Sequence, residues 1–114
     1  MNLEYIRDYY LKKSFVTEEY PFDEVTLVFK VKGKIFALMA IDEDPLWLNL
    51  KCEPELAIEL RERYESITPG YHMNKKMWNT IILDDTIPAK EILKMIDHSY
   101  DEVLKKIPEK RKQK

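Results

Sequence analysis

Cys52, His72 and His98 are the side chains of this chain best equipped for covalent or metal chemistry, and their spacing favours neither. A metal site needs several deprotonatable ligands that converge, whereas the two histidines are far apart and Cys52 has no nearby Cys or His. Nucleophilic catalysis by Cys52 or a serine needs a base and an oxyanion donor, and no nucleophile elbow or Cys-His signature is present. Cys52 is therefore expected to be a small buried hydrophobe, with a spatial meeting of Cys52 and His72 as the one catalytic arrangement left open. The two glycines, Gly33 and Gly70, stand alone, so no glycine-rich phosphate loop exists. The acidic runs lack the spacing of a calcium loop. The expectation is a protein that is not an enzyme and that needs no cofactor and no metal.

Binding chemistry is better represented. The stretch ITPGYHMNKKMWNTIIL, residues 67–83, places Tyr71, His72, Asn74, Lys75, Lys76 and Trp78 just after Gly70. Lys30, Lys32 and Lys34 surround a second glycine, and Trp47, Asn49 and Lys51 alternate along an extended run. Lysines attract phosphates, Trp47, Trp78 or Tyr71 can stack on bases, and asparagine amides can bond base edges, a combination suited to nucleic acid. The same groups would also serve a protein partner or a small anionic ligand. The bland alternative is that both tryptophans merely pack the sheet.

The elements that must carry these groups follow from periodicity. Asn2 caps a helix predicted over about 3–13, with Leu3, Ile6 and Tyr10 on one face. Val25, Leu27, Phe29 and Val31 alternate as a strand, Lys32-Gly33 makes a tight turn, and KIFALMAI (34–41) is apolar on both sides, as a central strand is. LWLNLK (46–51) points Leu46, Leu48 and Leu50 one way and Trp47, Asn49 and Lys51 the other. Pro54 opens a second helix with Leu56, Leu60 and Tyr64 inward, and Thr68-Pro69-Gly70 ends it. MWNTIIL is a further strand, with His72 on a short strand before it. Pro88 opens a last helix in which Ile92, Ile96, Tyr100, Val103 and Ile107 share one side, while His98 falls on the opposite, exposed side. The order predicts an α+β domain: an antiparallel sheet of about five strands with helices on one face and the other face partly open.

At 114 residues, 45% hydrophobic and 35% charged, the chain fits a single globular domain spanning 1–114. No apolar run approaches the ~18 residues that span a bilayer, and MNLEYIRDYY lacks the layout of a secretory signal, so a cytoplasmic protein with no membrane partner is expected. A lone cysteine fits a reducing compartment. The net charge of −2 gives no global pull toward a polyanion. Local charge must carry any such role. TEEYPFDE (17–24) and DED (42–44) are acidic without compensating bases and are expected to be solvated loops, and the basic tail, about 108–114, is expected to fray.

FKVKGKIFALM (29–39), LNLKCEPELAIELRE (48–62), TPGYHMNKKMWNTI (68–81) and IDHSYDEVLKKI (96–107) together resemble the MmcQ/YjbR family of small bacterial proteins, described as predicted DNA-binding proteins. The resemblance covers nearly the whole chain. It implies a fold like that of CyaY, the bacterial frataxin, and DNA as partner, with the 30–34 hairpin as a wing beside Asn49, Lys51, Tyr71, His72, Asn74, Lys75, Lys76 and Trp78. Iron chemistry does not follow, because frataxin's acidic first helix is absent: Glu4 and Asp8 are matched by Arg7, Lys12 and Lys13.

Overall fold

The structure is a computed structural model, and it describes residues 1–70 and 73–108. Three helices and six strands follow the order α1 (Leu3–Leu11), β1 (Val16–Glu19), β2 (Thr26–Val31), β3 (Lys34–Ala40), β4 (Trp47–Lys51), α2 (Pro54–Arg63), β5 (Ile67–Pro69), β6 (Trp78–Ile82) and α3 (Ala89–Leu104). The strands form one sheet in the order β1-β2-β3-β4-β6-β5, antiparallel throughout. The expected α+β class with helices on one face is the observed one. Six strands replace about five because two short ones had no apolar alternation to announce them.

The first of these is β1. Its acids were expected in a solvated loop, yet Val16–Glu19 pairs along β2, with Val16 opposite Val31 and Glu19 opposite Val28. Each carboxylate finds a cation there: Glu18 accepts from Arg7 Nε at 2.7 Å, and Glu19 pairs with Lys30 at 2.5 Å. The second is β5. Pro69 was expected to end α2, but that helix stops at Arg63 and Ile67–Pro69 pairs as an edge strand with β6. Pro69 sits there without cost, because an edge strand has one side that needs no donor.

Each helix is placed by its apolar stripe. In α3 the predicted arc holds, with Ile92, Ile96, Tyr100 and Val103 buried, and Ile107, expected as its last member, is buried in the turn after the helix ends at Leu104. Asn2 caps α1 as expected, its Oδ1 accepting from Tyr5 N–H at 2.9 Å. The helices cover one sheet face, where Leu27, Phe29, Met39, Leu48, Leu50 and Ile81 meet Ile6, Tyr10, Leu60 and Ile96. Tyr10 and Phe29 meet tilted at a centroid separation of 4.4 Å, and Phe36 meets Tyr10 and Tyr100 edge to face at 5.7 and 5.5 Å, a geometry aromatic quadrupoles favour. Ser99 ties α3 to the sheet by donating to the Phe36 carbonyl while accepting from Lys51 N–H at 2.9 Å. No helix among the described residues is long and apolar enough to cross a membrane.

Candidate functional site

Strand register decides where the predicted binding residues go. Val31 faces Lys34 across the β2–β3 turn, and Lys51 at the end of β4 faces Trp78 at the start of β6. The turn residues Lys32 and Gly33 both have positive φ, 50° and 84°, the geometry of a tight hairpin turn matched to strand twist. Lys75 and Lys76 immediately precede β6, and Met77 C=O accepts from Cys52 N–H at 2.8 Å. Lys32, Lys34, Lys51, Lys75 and Lys76 therefore collect at one end of the sheet. Lys105 and Lys106 follow α3 toward the same end, where Lys106 acts on the Lys51 charge.

The other end is its opposite in charge. The loops after β1, β3 and β6 carry Asp23 and Glu24, then Asp42, Glu43 and Asp44, then Asp84 and Asp85, with no lysine or arginine among residues 20–25, 41–46 and 83–88. Two of these carboxyls are anchored in their turns. Asp23 accepts from the backbone N–H groups of Val25 (2.9 Å) and Thr26 (2.7 Å), which hold it below the usual carboxylate range. Asp84 accepts from the Thr86 hydroxyl at 2.6 Å, with the same consequence.

The uncovered sheet face runs between these ends, and it does not gather the predicted set as one surface. Trp47 and Asn49 lie on it, with Asn49 Oδ1 accepting from Thr80 Oγ1 at 2.5 Å. Lys30 lies on it too, but its ammonium is paired with Glu19. Lys51 was expected beside Asn49. Lys51 is the last residue of β4, opposite Trp78, and it also borders a cavity on the helix side, with Cys52 and His98. Burial pulls the Lys51 ammonium below its ordinary range, with Lys106 adding repulsion.

Trp78 is the clearest correction. Expected as a stacking ring, it is 8% exposed, packed with Val28 and Leu38 beneath Met73, Met77 and Ile35. Met73 and Met77 cover the open face at the lysine end. Gly70 makes this possible: its N–H donates to Trp78 C=O at 2.8 Å, and a Cβ there would stand 2.7 Å from Trp78 Cβ. Asn74 shapes the exposed turn, its Oδ1 accepting from Lys76 N–H at 3.0 Å. Tyr71 and His72 lie outside the described residues. Lys32 sits over the Phe15 ring, 3.8 Å from its centroid.

At the acidic end the same face stays open. Phe22, Leu38, Trp47 and Met73 wall a cleft of about 480 Å³ whose rim carries Asp23, Asp42 and Glu43. Its aromatic ring is thus ringed by acids, not lysines.

Periodicity missed Arg61. From α2 its guanidinium donates to Asn79 Oδ1 at 2.7 Å and to the Lys75 carbonyl, and so holds the lysine turn from behind. Nothing local signals these contacts, which join residues brought together only by the β6 pairing. His98, expected exposed, is half-buried and accepts from Glu53 N–H through Nε2 at 3.1 Å. Cys52 is buried as expected. Burial, with Glu53 and Glu102 nearby, pushes its thiol up to about 11, the reverse of an activated nucleophile.

Known proteins share this fold. The YjbR family profile matches residues 11–102. Uncharacterized protein YjbR of Escherichia coli K12 is 34% identical over 83 residues, 73% of this chain and 70% of that protein. Uncharacterized protein YbdF of Escherichia coli O157:H7 is 36% identical over 94 residues, 82% of this chain and 77% of that one. The crystal structure of Deinococcus radiodurans protein DR2400, a DUF419 domain, superposes with a TM-score of 0.93 at 40% identity, covering 96% of this chain and 84% of that one. A Pseudomonas syringae protein superposes with a TM-score of 0.76 at 32% identity, over 90% of this chain and 98% of that one. The chain belongs to the YjbR family.

Proposed function

We propose that this protein is a non-enzymatic DNA-binding module that grips the phosphate backbone at the lysine-bearing end of its sheet. One observation carries the reading: strand register brings Lys32, Lys34, Lys75 and Lys76 together and sends the seven loop carboxylates of residues 20–25, 41–46 and 83–88 to the far end. Lys34, Lys75 and Lys76 are exposed and make no ion pair among the described residues, so their charge is available to a ligand. The hairpin turn at Lys32-Gly33 and the Asn74–Met77 turn both lie at that end. Trp78 is enclosed and Trp47 lies at the other end, so binding draws on phosphate attraction and not on base stacking. The expected ligand is duplex DNA held with little sequence preference.

Four lysine–phosphate contacts, from Lys32, Lys34, Lys75 and Lys76, predict that log affinity falls with log salt at a slope near −3.6, about 0.9 per contact. Fluorescence anisotropy with a labelled duplex across a salt series measures it. The triple variant Lys34→Glu, Lys75→Glu, Lys76→Glu removes three contacts, which at 0.1 M salt costs about 500-fold in affinity. Micromolar protein that shows no salt-sensitive binding at low salt rejects the proposal.

The acid-rimmed cleft favours a second reading, a protein-interaction module. An arginine or lysine of a partner would insert its cation over Trp47 and between Asp23, Asp42 and Glu43. A small anion on this face would meet repulsion from those same carboxylates. A basic peptide that perturbs indole fluorescence in the wild type but not in Trp47→Leu supports this reading; no perturbation at millimolar peptide removes it.

A further inference from the structure

The helices do not close over the sheet completely. α2 lies over β5 and β6, α3 lies over β2, β3 and β4, and between them a cavity of about 170 Å³ opens above Leu50, Leu60, Ile81 and Met95. That volume is close to the ~150 Å³ that accepts one benzene ring in an apolar protein interior. The mouth is different in character from the floor. Lys51, Arg63 and Lys94 stand around it with His98, against a single acid, Glu91. Arg63 is paired with Glu59 at 2.8 Å and Lys94 with Glu91 at 3.4 Å, whereas Lys51 makes no salt bridge among the described residues and feels Glu102 only at longer range.

We propose that this cavity binds a small carboxylic acid with a ring-sized apolar body, its ring on Leu60, Ile81 and Met95 and its carboxylate on Lys51. Each part of the ligand answers a feature of the site. The apolar floor rejects a bare inorganic anion, the volume rejects a body much larger than one ring, and the half-buried ammonium of Lys51, with Glu102 beyond salt-bridge reach, favours a carboxylate over a neutral hydrocarbon. Desolvation already disfavours the charged form of Lys51, and a bound carboxylate would restore it. The site lies on the helix side of the sheet, so the inference goes beyond DNA binding and does not depend on it.

Benzoate and benzyl alcohol test the two halves of the ligand separately. Amide chemical-shift titration of the full chain should show benzoate shifts confined to Leu50–Cys52, Leu60, Ile81 and Met95, with benzyl alcohol bound at least about tenfold more weakly, the effect of a lost charge-assisted bond. Lys51→Met should weaken benzoate about tenfold while leaving benzyl alcohol unchanged. Leu56→Phe, placed at the cavity wall, should reduce both. No cavity shifts at millimolar benzoate, equal affinity for the alcohol, or undiminished benzoate binding by Lys51→Met each overturns the proposal.

Discussion

Trp47 and Trp78 lie on the same face of the same sheet, one at each end. Trp47 begins β4 and Trp78 begins the antiparallel β6, so the strand length that separates Trp47 from Lys51, about 13 Å for four residues, also separates the two indoles. At the lysine end the ring is sealed beneath Met73 and Met77; at the acidic end it walls an open cleft. Cations and an accessible aromatic are both present, but a strand apart. Residue types that suit one ligand in a list can be divided by register between two surfaces of opposite charge.

The largest expected effect tests the contrast between the rings. Trp78→Ala should cost about 4 kcal/mol of stability, the usual loss for a buried indole, whereas Trp47→Ala should cost under about 1.5 kcal/mol. Urea denaturation of the two variants measures the difference. Equal losses would erase the distinction between a packed ring and a displayed one.

Charge comes next. The triple lysine reversal should weaken duplex binding by the factor given above, while Asp42→Asn with Glu43→Gln and Asp44→Asn should leave the salt slope unchanged, because counterion release is counted at the contact surface. A slope that changes equally for both variants would mean that net charge, and not its placement, governs binding.

A smaller loss is expected at the hinge of the sealing segment. Gly70→Ala places a methyl 2.7 Å from Trp78 Cβ and 3.0 Å from its carbonyl oxygen, so β5 and β6 must part. About 2 kcal/mol should be lost, as for other overpacked sites, and hydrogen exchange should quicken at Trp78 before it does at Leu48.

The smallest effect is a pH dependence at the lysine end. The Cys52 thiol, held up to about 11 in the fold, titrates near its ordinary value once unfolded. As pH rises from 8 to 10 the unfolded state releases this proton and the folded state keeps it, so stability falls, by about 1 kcal/mol. Cys52→Ser should lack that increment in thermal unfolding across the same window. A stability difference between wild type and Cys52→Ser that stays constant from pH 8 to 10 would contradict it.

Much of the architecture was legible because one period dominated. The stripe of α3, the alternation of β4 and the Lys32-Gly33 turn each follow from spacing alone. β1 was not legible: VTEE becomes a strand only when β2 offers it a ladder and Arg7 and Lys30 offer its acids partners. The site divided in the same way. Which end each lysine reached could be derived only from strand pairing, and alternation alone did not show that Lys51, the last residue of β4, also borders the helix-side cavity. The burial of Trp78 depends on Met73 and Met77 crossing the sheet, a tertiary event that no local pattern encodes.

The separation of charge along the strands has a bearing on how an anionic molecule can approach another anion. With a net charge of −2, mutual repulsion acts on the centre of mass, but salt extinguishes it beyond about 10 Å at 0.1 M. Within that range the nearer pole outweighs the farther one, and the molecule experiences a torque. If DNA is its ligand, it turns before it binds, and collisions that begin with the wrong end forward are repelled or rotated into productive ones.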